Sequence, residues 1–441
     1  MGRRKRKRLP EGSFPAHIDS LAHDGRGVAH VEGKAVFIDG ALPGETIEFV
    51  YTGRRRSFDE GRVEKVIEAS PERVTPRCPH TERCGGCSLQ HMDPDAQIAA
   101  KQAVLLENMK RIGGVAPDEV LPPLTGPHWG YRRKARLGVR LVKKKGRVLV
   151  GFREKHSAFV VEMDGCEVLH PWVGRRLLEL SSLIGGLSIA AAVPQIEVAI
   201  GDEVGGLVFR VLEPPGEADL DALRAFGERT GLHIYLQPKG PDSVYLLWPE
   251  ASVLSYCLPA YGLELQFLPT DFTQVNTDIN RAMIDRALEL LDLSSSHRVL
   301  DLFCGLGNFT LPIATRAARV VGVEGEAGLV QRARDNAVRN GITNAEFHVA
   351  NLMEDVAGAP WLGEDYDRVL LDPPRSGALE MIPHVAGLGA KRIVYVSCHP
   401  ASLARDAGLL VKEHGYRLLA AGVMDMFPHT AHVESIALFE R

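Results

Sequence analysis

No stretch of the chain approaches 18 consecutive apolar residues, so no membrane-spanning helix is expected. The N-terminal run Met1-Gly-Arg-Arg-Lys-Arg-Lys-Arg8 has no apolar segment behind it, which speaks against a secretory signal. A cytoplasmic enzyme is expected, in a reducing compartment where disulfides are rare. Cysteine is also scarce, with seven in 441 residues. In that compartment these are expected to be metal-binding, catalytic or buried rather than paired. There are no internal repeats, and no low-complexity tract beyond the basic tail.

What is present is unevenly spread. The net charge is −4, yet residues 1–160 carry 30 Lys and Arg against 19 Asp and Glu. The remainder carries 22 against 37. A basic front half joined to an acidic back half suggests that the front half holds a polyanion. Arg3–Arg8, Arg54-Arg-Arg56 and the Arg132–Lys145 region concentrate that charge.

The chain is organised around Val299-Leu-Asp-Leu-Phe-Cys-Gly-Leu-Gly-Asn-Phe-Thr310. Val299 to Phe303 reads as a buried strand, Gly305 and Gly307 as a tight turn, and Asn308 onward as a helix. That is the opening unit of a nucleotide-binding α/β domain. A dinucleotide fingerprint would have a third glycine where Thr310 stands, and Asp301 suits a ligand carrying positive charge. Glu324 comes 17 residues after Gly307, at the tip of Val320-Val-Gly-Val323, where a carboxylate can take both hydroxyls of a ribose. S-adenosylmethionine has a sulfonium, an amino group and a ribose without phosphate, and it is favoured over NAD.

Upstream, five short β-runs between about Ser13 and Ser70 are separated by Asp24-Gly25, Glu32-Gly33, Asp39-Gly40, Pro43-Gly44 and Asp59-Glu-Gly61. Such spacing predicts a small barrel of the oligonucleotide-binding kind. The segment resembles a TRAM domain, a companion of RNA-modifying enzymes. Cys78, Cys84 and Cys87 follow, three thiols within ten residues. They call for a metal reading with a fourth ligand, and Cys166 is the nearest free candidate. Spacing alone leaves zinc and an iron–sulfur cluster open.

Asp93-Pro94 predicts a helix start, Gly113-Gly114 its stop, and Ile98, Leu105, Met109 and Ile112 its core stripe. From Tyr131 to about Pro249 the pattern is a mixed central domain enclosing the cysteine loop. In it Tyr131-Arg-Arg-Lys134 suits either base stacking with phosphate contact or a solvated edge strand. From Asp271 strands and helices alternate: helix Thr277–Leu291, strands 299–303, 320–323, 346–349, 368–371 and 392–396, then 416–424 and 433–439. This predicts a doubly wound sheet whose ligands sit at the carboxyl ends of its strands. The expected division is a basic tail over 1–9, the barrel over 10–70, the central domain over 71–265 and the α/β domain over 266–441.

Three motifs fall at those strand ends: Asp372-Pro-Pro-Arg-Ser-Gly377, Tyr395-Val-Ser-Cys-His-Pro400 and Phe427-Pro-His-Thr-Ala-His-Val-Glu-Ser435. A cysteine, a carboxylate and a methyl donor suit one reaction. Uracil C5 is a weak carbon nucleophile until a thiolate adds to C6; a base must afterwards remove the C5 proton. Cys398 and Glu434 are the candidates for thiolate and base.

With these motifs the chain resembles the RNA (uracil-5-)-methyltransferase family over its whole length. The resemblance implies a [4Fe–4S] cluster on Cys78, Cys84, Cys87 and Cys166. It implies methyl-donor contacts at Gln274, Phe303, Asn308, Glu324, Asn351 and Asp372, with Cys398 as nucleophile and Glu434 as base. Members with both the barrel and the cluster cysteines modify 23S ribosomal RNA. That RNA is the partner implied, acted on by a monomer without DNA or membrane. Two positions depart from the family pattern: His399 replaces an Asn and Ser402 a Thr. His399 is expected to alter how the thiolate is held or to lower its pKa. Cys257 and Cys304 match no family role and read as buried thiols. The rival readings are an exocyclic-amine methyltransferase, a cytosine-C5 enzyme and a non-catalytic RNA-binding or ribosome-assembly factor. A binding factor would need neither Cys398 nor Glu434.

Overall fold

Alternation of apolar and polar residues decides the first sheet. The computed structural model describes residues 9–354 and 356–441, so residues 1–8 of the expected basic tail lie outside the described residues. Two compact units result. The first comprises the described residues up to Lys101, with 154–157 and 427–432. The second comprises 102–153, 158–426 and 433–441.

The first unit holds a six-stranded sheet in the order Phe14–His17, Thr46–Arg54, Asp59–Glu68, Lys34–Asp39, Gly27–Val31, Ser20–Leu21. The expected first run is thus two strands, broken at Ile18-Asp19. The sheet encloses Ile18, Ala29, Val36, Ile38, Ala41, Ile47 and Phe49 in one core. Each of the larger side chains contributes about 1.5–3 kcal/mol by leaving water. One carboxylate lies among them. Glu45 is fully buried and accepts the Leu42 N–H at 2.8 Å, the Ser70 N–H at 3.3 Å and Arg73 Nη2 at 2.8 Å. Arg73 Nη2 also reaches the Gly40 carbonyl at 2.7 Å. Burial alone would raise the Glu45 pKa, but the guanidinium and the amides outweigh it and hold the carboxyl below its ordinary range. The cysteine loop, residues 78–87, groups with this unit rather than with the central sheet.

The helix Pro94–Asn108 begins where Asp93-Pro94 marked it. Its predicted stripe holds for Ile98, Leu105 and Met109, but Ile112 is half exposed. The chain underwinds into a π-helical turn over Met109–Gly113 and stops at Gly114, φ +61°. The wider turn rotates Ile112 away from the stripe.

In the second unit a mixed six-stranded sheet runs Tyr245–Trp248, His233–Gln237, Gly205–Arg210, Gln195–Ile200, Lys134–Val142, Arg147–Gly151. Its one parallel pair, Gly205–Arg210 with His233–Gln237, is joined by the helix Glu217–Thr230, the crossover that such a pair requires. The run Tyr131–Lys134 is neither a stacking platform nor a solvated edge. Tyr131 is buried, Arg133 Nη1 binds the Gly201 carbonyl at 2.6 Å and Asp202 at 2.8 Å, and Lys134 Nζ donates to the Pro269 carbonyl. These polar groups are spent on internal bonds.

The last sheet has eight strands: Ala345–Val349, Arg319–Glu324, Arg298–Leu302, Arg368–Leu371, Arg392–Ser397, Glu434–Glu440, Arg417–Met424 and Glu119–Val120. The first five are mutually parallel, and Glu434–Glu440 is antiparallel to both its neighbours. The near-continuous apolar runs predicted this burial: Ile393, Val394, Tyr395 and Val396 are fully buried. The helix Thr277–Leu291 has the predicted limits, with Asn276 as its cap. The edge strand Glu119–Val120 was not foreseen. It lies parallel to Arg417–Met424, and Gly422 permits it, since a Cβ there would meet Leu121 Cβ at 2.8 Å.

Glu45→Gln should destabilise the first unit by about 2–3 kcal/mol, because a charged acceptor is lost and Arg73 is left half buried without its anion. Since the folded pKa is lowered, the contribution is full at neutral pH and fades as pH falls through that value. Hydrogen exchange at the Leu42 and Ser70 amides measures it; unchanged protection would contradict the assignment.

Candidate active site

The strand Arg298–Leu302 leaves its sheet through a turn that few residues can make. Phe303, Gly305 and Gly307 sit at φ +66°, +55° and +95°. Glycine enters that region freely, whereas Phe303 stores of order 1–3 kcal/mol. Backbone bonds hold the strain: the Phe303 and Cys304 N–H groups donate to the Val323 carbonyl at 2.9 and 3.1 Å. Glu324 closes the next strand. Its Oε2 accepts the Gly305 N–H at 3.1 Å, and its Oε1 accepts Gly325 and Glu326 N–H at 2.7 and 3.0 Å. These bonds leave Oε2 one lone pair for a hydroxyl donor.

The remaining predicted contact residues fall in loops at the same strand ends. Asn351 follows Ala345–Val349, donates to Glu354 Oε1 at 2.8 Å and accepts the Met353 N–H at 3.1 Å. Gln274 is half buried just before the helix Thr277–Leu291. Asn308 follows the glycine turn. It exchanges amide bonds with Asn280 at 2.9 and 3.0 Å, and its Oδ1 also accepts from Tyr256 Oη at 2.8 Å. Its side chain braces the turn, which leaves one amide hydrogen for a ligand.

Negative charge accumulates here. Asp301 is fully buried; its Oδ2 accepts from Thr310 Oγ1 at 2.5 Å, while its Oδ1 has no partner. Burial, with the charges of Asp372 and Glu324, pushes its pKa up to about 8. Burial and Glu324 push Asp372 up to about 7. Glu434 opens the final strand, with Ser435 opposite Ser397 in antiparallel register. That reversal brings residue 434 to the sheet end where Cys398 leaves. Burial and Asp372 raise Glu434 well above the usual carboxylate range, and Arg375 opposes the rise. Burial, Glu434 and Asp372 push the Cys398 thiol up to about 11, again against Arg375. The expectation that His399 lowers this pKa does not hold in the free protein. The ring is bonded to Ser402, and burial decides the thiol. A cation at these strand ends would oppose every one of these shifts.

Sequence reasoning missed what fixes the Arg375 loop. Asp406 is fully buried on the helix Pro400–Lys412 and accepts from Tyr395 Oη at 2.6 Å and from the Ala378 N–H at 2.9 Å. The signal was available, because Asp406 interrupts the apolar face of Leu403, Ala407 and Leu410. Cys304 is buried as expected, whereas Cys257 is only half buried.

None of the seven cysteines is in a disulfide. Cys78 and Cys84 are buried in the first unit and Cys87 is half buried there; Cys166 is half buried in the second. Gly86 N–H points to Cys84 Sγ at 3.4 Å, and burial with the Cys78 charge raises the Cys84 pKa. Among the described residues no three His, Cys, Asp or Glu side chains are grouped to hold a metal ion. The donors fit a thiophilic centre in kind: they are thiols, and one of them faces an amide N–H.

Comparison with known proteins adds three findings. The family described as tRNA (Uracil-5-)-methyltransferase matches residues 261–441. Relatives from Alkalilimnicola ehrlichii and Methylococcus capsulatus, both named 23S rRNA (uracil(1939)-C(5))-methyltransferase RlmD, are 60% and 58% identical. Both alignments cover 100% of this chain, and 99% and 100% of the relatives. The crystal structure of Pyrococcus abyssi tRNA (uracil-54, C5)-methyltransferase with S-adenosyl-L-homocysteine superposes with a TM-score of 0.74 at 26% identity, covering 97% of this chain and 100% of that one.

The carboxylates predict a pH dependence. Asp372 is neutral below about pH 7 and charged above it, so a cationic ligand gains its attraction as pH rises. S-adenosylmethionine should bind more tightly at about pH 7.5 than at about pH 5.5, with proton release on binding at the lower pH. Calorimetry in two buffers of different ionisation enthalpy tests this. A dissociation constant that is flat over the window would contradict it.

Proposed function

The chain belongs to the RNA (uracil-5-)-methyltransferase family, with the relatives named RlmD, and on that footing we propose that it methylates a uridine of 23S ribosomal RNA at C5. S-adenosylmethionine supplies an electrophilic methyl group, and the product is 5-methyluridine. The observation that carries the reading is the strand reversal that pairs Ser435 with Ser397 and so sets Glu434 beside the Cys398 turn.

The chemistry follows from the groups present. Cys398 is a thiol at rest, and a sulfonium nearby would lower its pKa and those of Asp372 and Glu434. The thiol loses its proton to solvent, its sulfur adds to uracil C6, and the electron pair moves to give an enolate. C5 of the enolate attacks the methyl carbon, the bond from that carbon to the sulfonium sulfur breaks, S-adenosylhomocysteine leaves, and C5 keeps its hydrogen. Glu434, ionised once a cation offsets its burial, accepts that proton; the C5–C6 double bond re-forms and the thiolate leaves. Gln274, Phe303, Asn308, Glu324, Asn351 and Asp372 are proposed as methyl-donor contacts. For Asn308 the proposal is limited to its remaining amide hydrogen and its backbone.

Residues 10–70 are proposed as the RNA-binding barrel, 71–265 as the central domain and 266–441 as the catalytic domain. We place the reaction in the cytoplasm and in a single chain; no described helix is long and apolar enough to cross a membrane. Cys78, Cys84, Cys87 and Cys166 are proposed to hold a [4Fe–4S] cluster, to which no step of the methyl transfer is assigned. Its support is the clustering of Cys78, Cys84 and Cys87 in the sequence and the resemblance that names all four.

Removing each catalytic group should stop the reaction at a different point. Cys398→Ala should form no covalent adduct and transfer no methyl. Glu434→Gln should still transfer methyl but accumulate enzyme joined to methylated RNA. RNA containing 5-fluorouracil should trap the wild type, since fluorine cannot leave as a cation. Denaturing gels with labelled RNA and labelled donor separate the cases. Amine methylation or binding without catalysis predicts no adduct anywhere, and that result would sink the mechanism. For the cluster, anaerobically purified protein should contain iron and acid-labile sulfide in equal amounts, about four of each. Stoichiometric zinc without sulfide would refute it.

A further inference from the structure

The loop carrying Arg375 is attached to one face of the helix Pro400–Lys412 at three successive points. Ser402 Oγ lies 2.6 Å from the Arg375 carbonyl, Arg405 Nη2 donates to the Ser376 carbonyl at 2.8 Å, and the Ala378 N–H donates to Asp406 Oδ2 at 2.9 Å. Residues 402, 405 and 406 are three and four apart, the spacing that lines one helix face. The first attachment differs from the others because it reaches back to the nucleophile. His399, the residue after Cys398, places Nδ1 2.8 Å from Ser402 Oγ and 3.3 Å from the Ser402 N–H. Ser397 holds the other side of the same turn, its Oγ accepting the His399 N–H at 3.1 Å.

Two oxygens 2.6 Å apart need a hydrogen between them, and a carbonyl has none to give. The hydroxyl proton of Ser402 therefore points to the Arg375 carbonyl. His399 Nδ1 caps the helix by accepting the Ser402 N–H, and it also touches the same Oγ. His399 Nδ1, Ser402 and the Arg375 carbonyl thus form one contiguous set of contacts. The Arg375 charge acts on both Cys398 and Glu434, so where this loop sits matters to both.

We propose that His399 and Ser402 act together as positioning residues that fix the Cys398 turn and the Arg375 loop as one piece. The proposal rests on Cys398 being the nucleophile. The experiment measures the rate of covalent adduct formation with 5-fluorouracil RNA, alongside S-adenosylmethionine affinity and melting temperature. His399→Ala and Ser402→Ala should each slow adduct formation by about tenfold to a hundredfold, with donor affinity and the KM for RNA within about twofold. The double variant should be no slower than the slower single by more than about twofold, because one set of contacts is broken once. Ser402→Thr keeps the hydroxyl and should retain most of the rate. Ser402→Ala leaves the ring and helix backbone in place and carries the test should His399→Ala not fold. Wild-type rates in both singles, or single losses that multiply in the double, would overturn the coupling. A wild type that forms no adduct would instead overturn the nucleophile reading beneath it.

Discussion

Excess negative charge at one end of a parallel sheet governs the second unit. Asp301 and Glu434 are buried, the half-buried Asp372 acts on both, and all three pKa values are raised. An apolar pocket would have been easier to fold. Burying carboxylates costs several kcal/mol each unless they stay neutral or meet a cation. A site left in that condition is selective by construction: a positively charged adenosyl ligand relieves it, and a phosphate-bearing dinucleotide aggravates it. The sequence hinted at this through Thr310, which stands where a dinucleotide site would have glycine and bonds to Asp301 instead.

Much of the catalytic sheet was legible because its signals are local. The strands around 299–303, 320–323 and 392–396 are near-continuous apolar runs, and Asn276 caps Thr277–Leu291 within a few residues of chain. The features that escaped depend on partners far away in sequence. Ile112 looked like a core residue until the π-turn rotated it. Arg133 and Lys134 suited either an RNA contact or a solvated edge because their internal acceptors, Gly201, Asp202 and Pro269, lie 68 or more residues downstream. The bonds of Asn308 to Asn280 and Tyr256 likewise join residues 28 and 52 positions apart.

The site also shows how one element reversal can supply a reaction. Five parallel strands bring their carboxyl ends to one edge, but a parallel strand brings its amino end to the other. Only the antiparallel Glu434–Glu440 can offer its first residue at that edge. The base therefore comes from the start of a strand and the nucleophile from the end of its neighbour. Glu434 is held by the sheet ladder, and Cys398 stands one residue past the ladder's last pair, which limits their relative drift.

The edge strand Glu119–Val120 has a consequence for how the chain is made. Its partner residues, Ala420 and Ala421, come some three hundred positions later. During synthesis the early strand must wait, unpaired, until almost the whole polypeptide has emerged. Closing so long a loop is among the last steps that topology allows. Until it happens, Arg417–Met424 presents a bare row of backbone donors and acceptors, the surface through which sheets join one another in error. A fragment beginning at residue 266 would carry that open flank permanently. The catalytic sheet is thus contiguous in sequence everywhere except at the one strand that seals its flank.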